Sequence, residues 1–207
     1  MDAAIEKKYK FLRSHLIYFN ISREDYTIFE WKPNGSNRSY ILELNYIRKN
    51  VISDVFFHIE RNNEKFVYIE KDNLIFTLSS ANKIQYQTLE AFIEQIIDIF
   101  KETYDIEVIF SFDVSSNYFK SFNNNIEDLL INFYTLGVVK KVDILCKVCG
   151  KVLPLVVKTK IIEESKNFPV PIVYRHDGHA IICFIDKNFI LRGVKPVVVS
   201  GWKRDSN

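Results

Sequence analysis

The chain has 207 residues, 47% hydrophobic and 14% aromatic, with only 6 Gly and 5 Pro, which suits one large domain or two small ones and argues against a long disordered segment. No apolar run reaches the roughly 20 residues a membrane span needs, and the first residues are charged where a secretory leader would be apolar; with three cysteines, two of them in C-x-x-C spacing, a soluble cytoplasmic protein in a reducing compartment is expected. The formal net charge of +2 hides a segregation: residues 1–137 hold 15 Lys and Arg against 20 Asp and Glu, a net of −5, and residues 138–207 hold 13 against 6, a net of +7.

Residues 2–19 read as an amphipathic helix with Asp2 as N-cap, because Ile5, Tyr9, Leu12, Leu16 and Phe19 form one apolar stripe. Such a stripe packs on the sheet that follows or holds a partner, so a homodimer is an open expectation. Residues 26–79 read as an antiparallel meander. Its strands are Tyr26–Trp31, a run around Tyr40, Leu42, Leu44 and Tyr46, Val55–Glu60, Phe66–Glu70 and Leu74–Leu78. Turns are expected at Pro33–Ser36, Arg61–Glu64 and Lys71–Asn73, all too short for parallel crossovers.

A second helix is expected over residues 88–104, with Leu89, Phe92, Ile93, Ile96, Ile97 and Phe100 on one face and Glu90, Glu94, Asp98 and Glu102 on the other. Alternation over Ile106–Phe112 predicts another strand. A third helix is expected after Asn123–Asn125, with Gly137 just past its end. From residue 138 the pattern turns β-rich and basic: Val138–Leu145, Val152–Ile162, a hairpin of Pro169–His176 with His179–Ile185, and Phe189–Val199. The class expected is α+β. An acidic domain, 1–137, would pack its helices on an antiparallel sheet, and a basic β module, 138–207, would follow, ending in a frayed tail from Gly201.

The chemistry sits in that second part. Cys146-Lys147-Val148-Cys149-Gly150 places two thiols where a tight loop turns both toward one point. Gly150 admits a positive φ and lets backbone N–H groups approach the sulfurs. The segment resembles one half of a zinc-ribbon knuckle over about five residues, but the second cysteine pair of such a ribbon is missing. Two histidines can complete the set. Asp177-Gly178 is a strong signal for a two-residue type I′ hairpin turn, which pairs His176 directly with His179 and puts both rings on one face.

Cys183 shares that face but lies roughly 13 Å along the strand from His179, so it belongs to the core with Ile181 and Ile185. The expected cofactor is therefore one structural zinc on Cys146, Cys149, His176 and His179. A redox pair is disfavoured, because such motifs open a helix and this one lies between strands. A three-ligand hydrolytic site would use Asp177 or Asp186 as base.

No P-loop, glycine-rich dinucleotide fingerprint, G-x-S-x-G or H-E-x-x-H is present. His15 and His58 are isolated, and His58 reads as a packed sheet residue. These observations predict a non-enzymatic adaptor or regulatory protein acting through contacts with another protein, with no membrane role. The alternative is a nucleic-acid-binding protein whose basic module offers Lys140, Lys141, Lys147, Lys151, Lys158 and Lys160, with Lys158 and Lys160 on one strand face. Arg175, Arg192, Lys203 and Arg204 would add charge, and Tyr174, Phe184 and Trp202 would supply stacking rings. A metal-dependent hydrolase stands third.

Overall fold

The computed structural model describes residues 3–23, 26–33, 51–61, 63–111 and 116–197. The expected strand around Tyr40–Tyr46, the Asp2 cap, most of the Pro33–Ser36 turn, and the tail with Trp202, Lys203 and Arg204 lie outside the described residues. The chain divides into two compact units, Met1–Leu136 and Gly137–Asn207.

The first unit is a five-stranded antiparallel sheet with helices, an α+β arrangement. Helix α1 (Ala3–His15) leads into β1 (Leu16–Arg23) and β2 (Tyr26–Trp31); β3 (Phe57–Arg61), β4 (Glu64–Lys71) and β5 (Leu74–Ala81) complete the sheet in the order β2-β1-β5-β4-β3. All pairings between neighbours are antiparallel. Helices α2 (Tyr86–Thr103), α3 (Ile106–Ser111) and α4 (Phe122–Asn132) follow. The face of α2 formed by Leu89, Phe92, Ile93, Ile96, Ile97 and Phe100 is buried, as its spacing requires. Phe100 centres the core, with the rings of Phe76, Tyr104, Phe119 and Phe122 all within 5.9 Å of its own.

Two sequence expectations fail in this unit. The first helix ends at His15, and Leu16–Arg23 is a strand. That strand is central, paired on both edges and buried on both faces, so it lacks the alternation that marks a half-buried strand. Ile106–Ser111 is a short helix rather than a strand. Asp105 starts it: its carboxylate accepts from the Glu107 N–H at 2.9 Å, and its carbonyl from the Ile109 N–H at 3.2 Å.

The second unit joins two small antiparallel sheets over one core. Strands β6 (Val139–Leu145) and β7 (Val152–Lys158) form a hairpin; after the short helix α5 (Thr159–Glu163), β8 (Val170–His176), β9 (His179–Ile185) and β10 (Leu191–Val197) form a sheet in the order β10-β9-β8. Val142, Ile144, Leu155, Val157, Ile172, Ile181, Cys183 and Ile185 share the core with Cys146. Here too one expectation is corrected. The strand leaving the knuckle ends at Lys158, so Lys160 sits on α5 and does not share a strand face with it. Thr159 donates its N–H to the Val138 carbonyl, and the backbone then turns helical. No described helix is long and apolar enough to cross a membrane.

Candidate metal centre

The knuckle is shaped by backbone hydrogen bonds. Gly150 donates its N–H to the Cys146 carbonyl at 2.8 Å, and Cys146 donates to the Lys151 carbonyl at 2.9 Å. Gly150 has φ +72°, and an added Cβ would meet nothing within 4 Å. The position therefore needs glycine for its backbone angle rather than for space. Cys146 is fully buried and Cys149 partly so.

The hairpin tip supplies the other pair. His176 pairs directly with His179 across β8 and β9. Asp177 and Gly178 have φ of 43° and 71°, the two positive values a type I′ turn requires. The two imidazoles lie 5.2 Å apart, nearly perpendicular, and Tyr174 stacks on His176 from behind at 5.8 Å.

The two turns meet. One ligand atom from each of Cys146, Cys149, His176 and His179 lies within 4.8 Å of every other, so the cluster can hold a metal ion. The orphaned nitrogens test that fit: both ring nitrogens of His176 and Nδ1 of His179 are buried without a hydrogen-bond partner. Asp177 comes no closer to His176 Nδ1 than 3.9 Å, beyond hydrogen-bond reach. Buried polar atoms normally have partners, and a metal is one that suits unprotonated imidazole nitrogen.

Electrostatics favours the ligating forms. Burial pushes the Cys146 thiol up, but the N–H groups of Cys149 and Val148 and the Cys149 thiol outweigh it, so the net direction is downward, toward thiolate. Burial first, then His179 and Lys151, hold the His176 ring below its ordinary value against the pull of Asp177, which keeps it neutral near pH 7. Lys151 Nζ donates to Asp177 Oδ2 at 2.7 Å and so ties the knuckle to the hairpin tip. This link had no local sequence signal, since its partners are 26 residues apart.

The remaining candidates fall elsewhere. Cys183 is buried between Ile172 and Val194, and burial with the nearby Cys146 raises its thiol to about 11. Asp186 accepts from the N–H groups of Asn188 and Ile190, each at 2.9 Å, and from Arg192 Nε at 2.7 Å. With Asp177 held by Lys151, both candidate bases are committed to other partners. His58 pairs with Glu90 at 2.8 Å and stacks on Tyr86, and His15 Nδ1 lies 2.7 Å from the Phe11 carbonyl.

Of the six lysines expected to meet nucleic acid, Lys158 is only 6% exposed. Lys141 pairs with Asp143, Lys151 with Asp177 and Lys160 with Glu164. Lys140 lies over the Phe189 ring at 4.0 Å, and Lys147 is exposed in the knuckle. They do not share one strand face. No model of a known protein family matches the chain, and no curated protein matches it.

Proposed function

We propose that the chain is a non-enzymatic binding protein whose C-terminal unit is a basic β module stapled by one structural zinc ion. The observation carrying this reading is the convergence of four nitrogen and sulfur donors from two turns, with their imidazole nitrogens otherwise unpartnered. Two thiolates and two imidazoles form a donor set suited to tetrahedral zinc, and harder cations prefer oxygen. When bound, the ion supplies cross-linking rather than chemistry: four protein ligands leave no open position for water.

The chain's own residues prepare the site. The knuckle N–H groups hold the Cys146 sulfur, the type I′ turn fixes the paired imidazoles, and Lys151–Asp177 ties the two turns together. Three free cysteines, two of them the proposed zinc ligands, support the reading of a reducing compartment such as the cytoplasm. Of the two partner classes expected, protein and nucleic acid, the second is favoured by the outer face of the β8–β10 sheet.

Metal analysis of the purified chain tests the zinc reading. One zinc per chain is expected, with tetrahedral ligand-field bands when cobalt replaces it. Cys146→Ser, Cys149→Ser, His176→Ala and His179→Ala should each weaken retention. Loss of metal from the cysteine variants but not from the histidine variants would remove both imidazoles from the site.

A further inference from the structure

Strands β8, β9 and β10 contain no Asp or Glu in any of their positions, whereas they carry Arg175, Arg192 and Lys195. The only acids of the connecting turns, Asp177 and Asp186, are tied to Lys151 and Arg192. The register then sorts the strand residues by face. His176, His179, Ile181, Cys183 and Ile185 point inward with Ile172 and Val194, toward the core and the metal centre. Val173, Ile182, Phe184, Arg175 and Lys195 point to the other face.

That outer face is an unusual surface. Val173 is 59% exposed, and Ile182 and Phe184 are partly exposed at its centre. The Phe184 ring lies against Gly193 of the neighbouring strand, where an added Cβ would come 3.8 Å from Cδ2. Lys195 Nζ is 5.6 Å from the centre of that ring, and Arg175 stands exposed across the sheet. A flat apolar and aromatic centre, cationic edges and no acid among the described residues complement an anionic chain carrying planar apolar groups.

We propose that the outer face of the β8–β10 sheet binds single-stranded nucleic acid, with a base stacked on Phe184 and phosphates paired to Lys195 and Arg175. A duplex fits this face less well, because it turns phosphates outward and hides the base faces that Phe184, Ile182 and Val173 would cover. The assignment rests on the binding-module reading given above and names its partner.

Fluorescence anisotropy on the full zinc-loaded chain tests it, with labelled 15-nucleotide oligouridylate and oligodeoxythymidylate, a 15-base-pair duplex, and an oligoglutamate peptide as probes. Single strands should bind most tightly. With two phosphates neutralised, the slope of log affinity against log salt should be about −1.4. Lys195→Gln and Arg175→Gln should each bring that slope about 0.7 closer to zero. Phe184→Leu should weaken binding about 5-fold or more, since stacking on an aromatic ring is worth that much per base. Lys160→Gln, off this face, should leave binding almost unchanged.

No single-strand binding at 50 mM salt would overturn the proposal. So would tighter binding of the duplex or of oligoglutamate, or indifference to Phe184→Leu with Lys195→Gln. Zinc content and melting temperature of each variant separate the two readings. A chain that holds zinc and binds no oligonucleotide sinks this proposal alone, and one that binds oligonucleotides without ever holding metal sinks the zinc reading alone.

Discussion

His179→Ala distinguishes a ligand from a packed ring. Structural zinc binds with an apparent free energy of about 10–16 kcal/mol, so one ligand of four carries on the order of 3 kcal/mol. That is roughly two decades in metal affinity. The C-terminal unit spans Gly137–Asn207, a size at which 1 kcal/mol moves a melting temperature by about 4–8 °C. The zinc-loaded variant is therefore expected to melt at least ~12 °C below the parent.

In excess chelator the same substitution acts on different terms. It removes the unpartnered buried Nδ1, whose burial costs about 1–3 kcal/mol. It also forfeits the edge contact with His176 at 5.2 Å, worth about 0.5–1.5 kcal/mol if it behaves as other aromatic pairs do. These nearly cancel, so the two chelated proteins should melt within a few degrees of each other. Thermal melts followed by circular dichroism, with equimolar zinc and with chelator, read both numbers. An equal drop under both conditions would show that His179 stabilises by packing, and the ligand assignment would fall.

Two further outcomes follow from local geometry. Gly150→Ala meets no steric obstacle but must hold φ at +72°; it is expected to cost about 1–2 kcal/mol, and Gly150→Asn less, as denaturant midpoints would show. Asp186 is held below its ordinary carboxylate range chiefly by the Ile190 N–H; burial opposes this as the next-largest effect, and the Asn188 N–H and Arg192 add to the lowering. Its folded-state value is depressed, so its contribution to stability is present above the unfolded value near 3.9 and is lost as pH falls through the lower folded value. Carboxyl titration by NMR should place Asp186 under 3.8, and Asp186→Asn should flatten acid unfolding in that window; a titration at or above 3.8 would refute it.

How much of this was legible in the chain depends on how local each cause is. The hairpin was legible because Asp177 and Gly178 are residues that tolerate positive φ, and a two-residue loop leaves no choice but to pair His176 with His179. The apolar face of α2 was legible from spacing alone. Leu16–Arg23 was not, because Leu12, Leu16 and Phe19 satisfy a helical stripe and the strand's central place in the sheet depends on β5, far along the chain. At Ile106–Ser111 the alternating apolar residues pointed to a strand, but among the described side chains of this segment only Ile109 is fully buried. The Asp105 cap was the overlooked signal. The meeting of the knuckle with the hairpin tip is non-local as well, and only the demand for four ligands suggested it in advance.

The identity of the four donors also bears on what the second unit can bind. Two thiolates carry a charge of −2 and two neutral imidazoles carry none, so a zinc ion of +2 brings the centre to zero. Residues 138–207 carry 13 Lys and Arg against 6 Asp and Glu, a net of +7, and zinc loading leaves that balance intact. A four-cysteine site would subtract two charges from a surface that, on the reading above, must attract phosphate. On the zinc reading, the Cys2His2 set would cross-link the fold without opposing its field. Zinc binding near pH 7.5 should release protons, at most about two per chain and fewer in so far as Cys146 already stands as thiolate, because metal ligands bind deprotonated. Release of none, measured calorimetrically in buffers of different ionisation enthalpy, would mean that the cysteines do not ligate as thiolates, and the link between the staple and the basic surface would be broken.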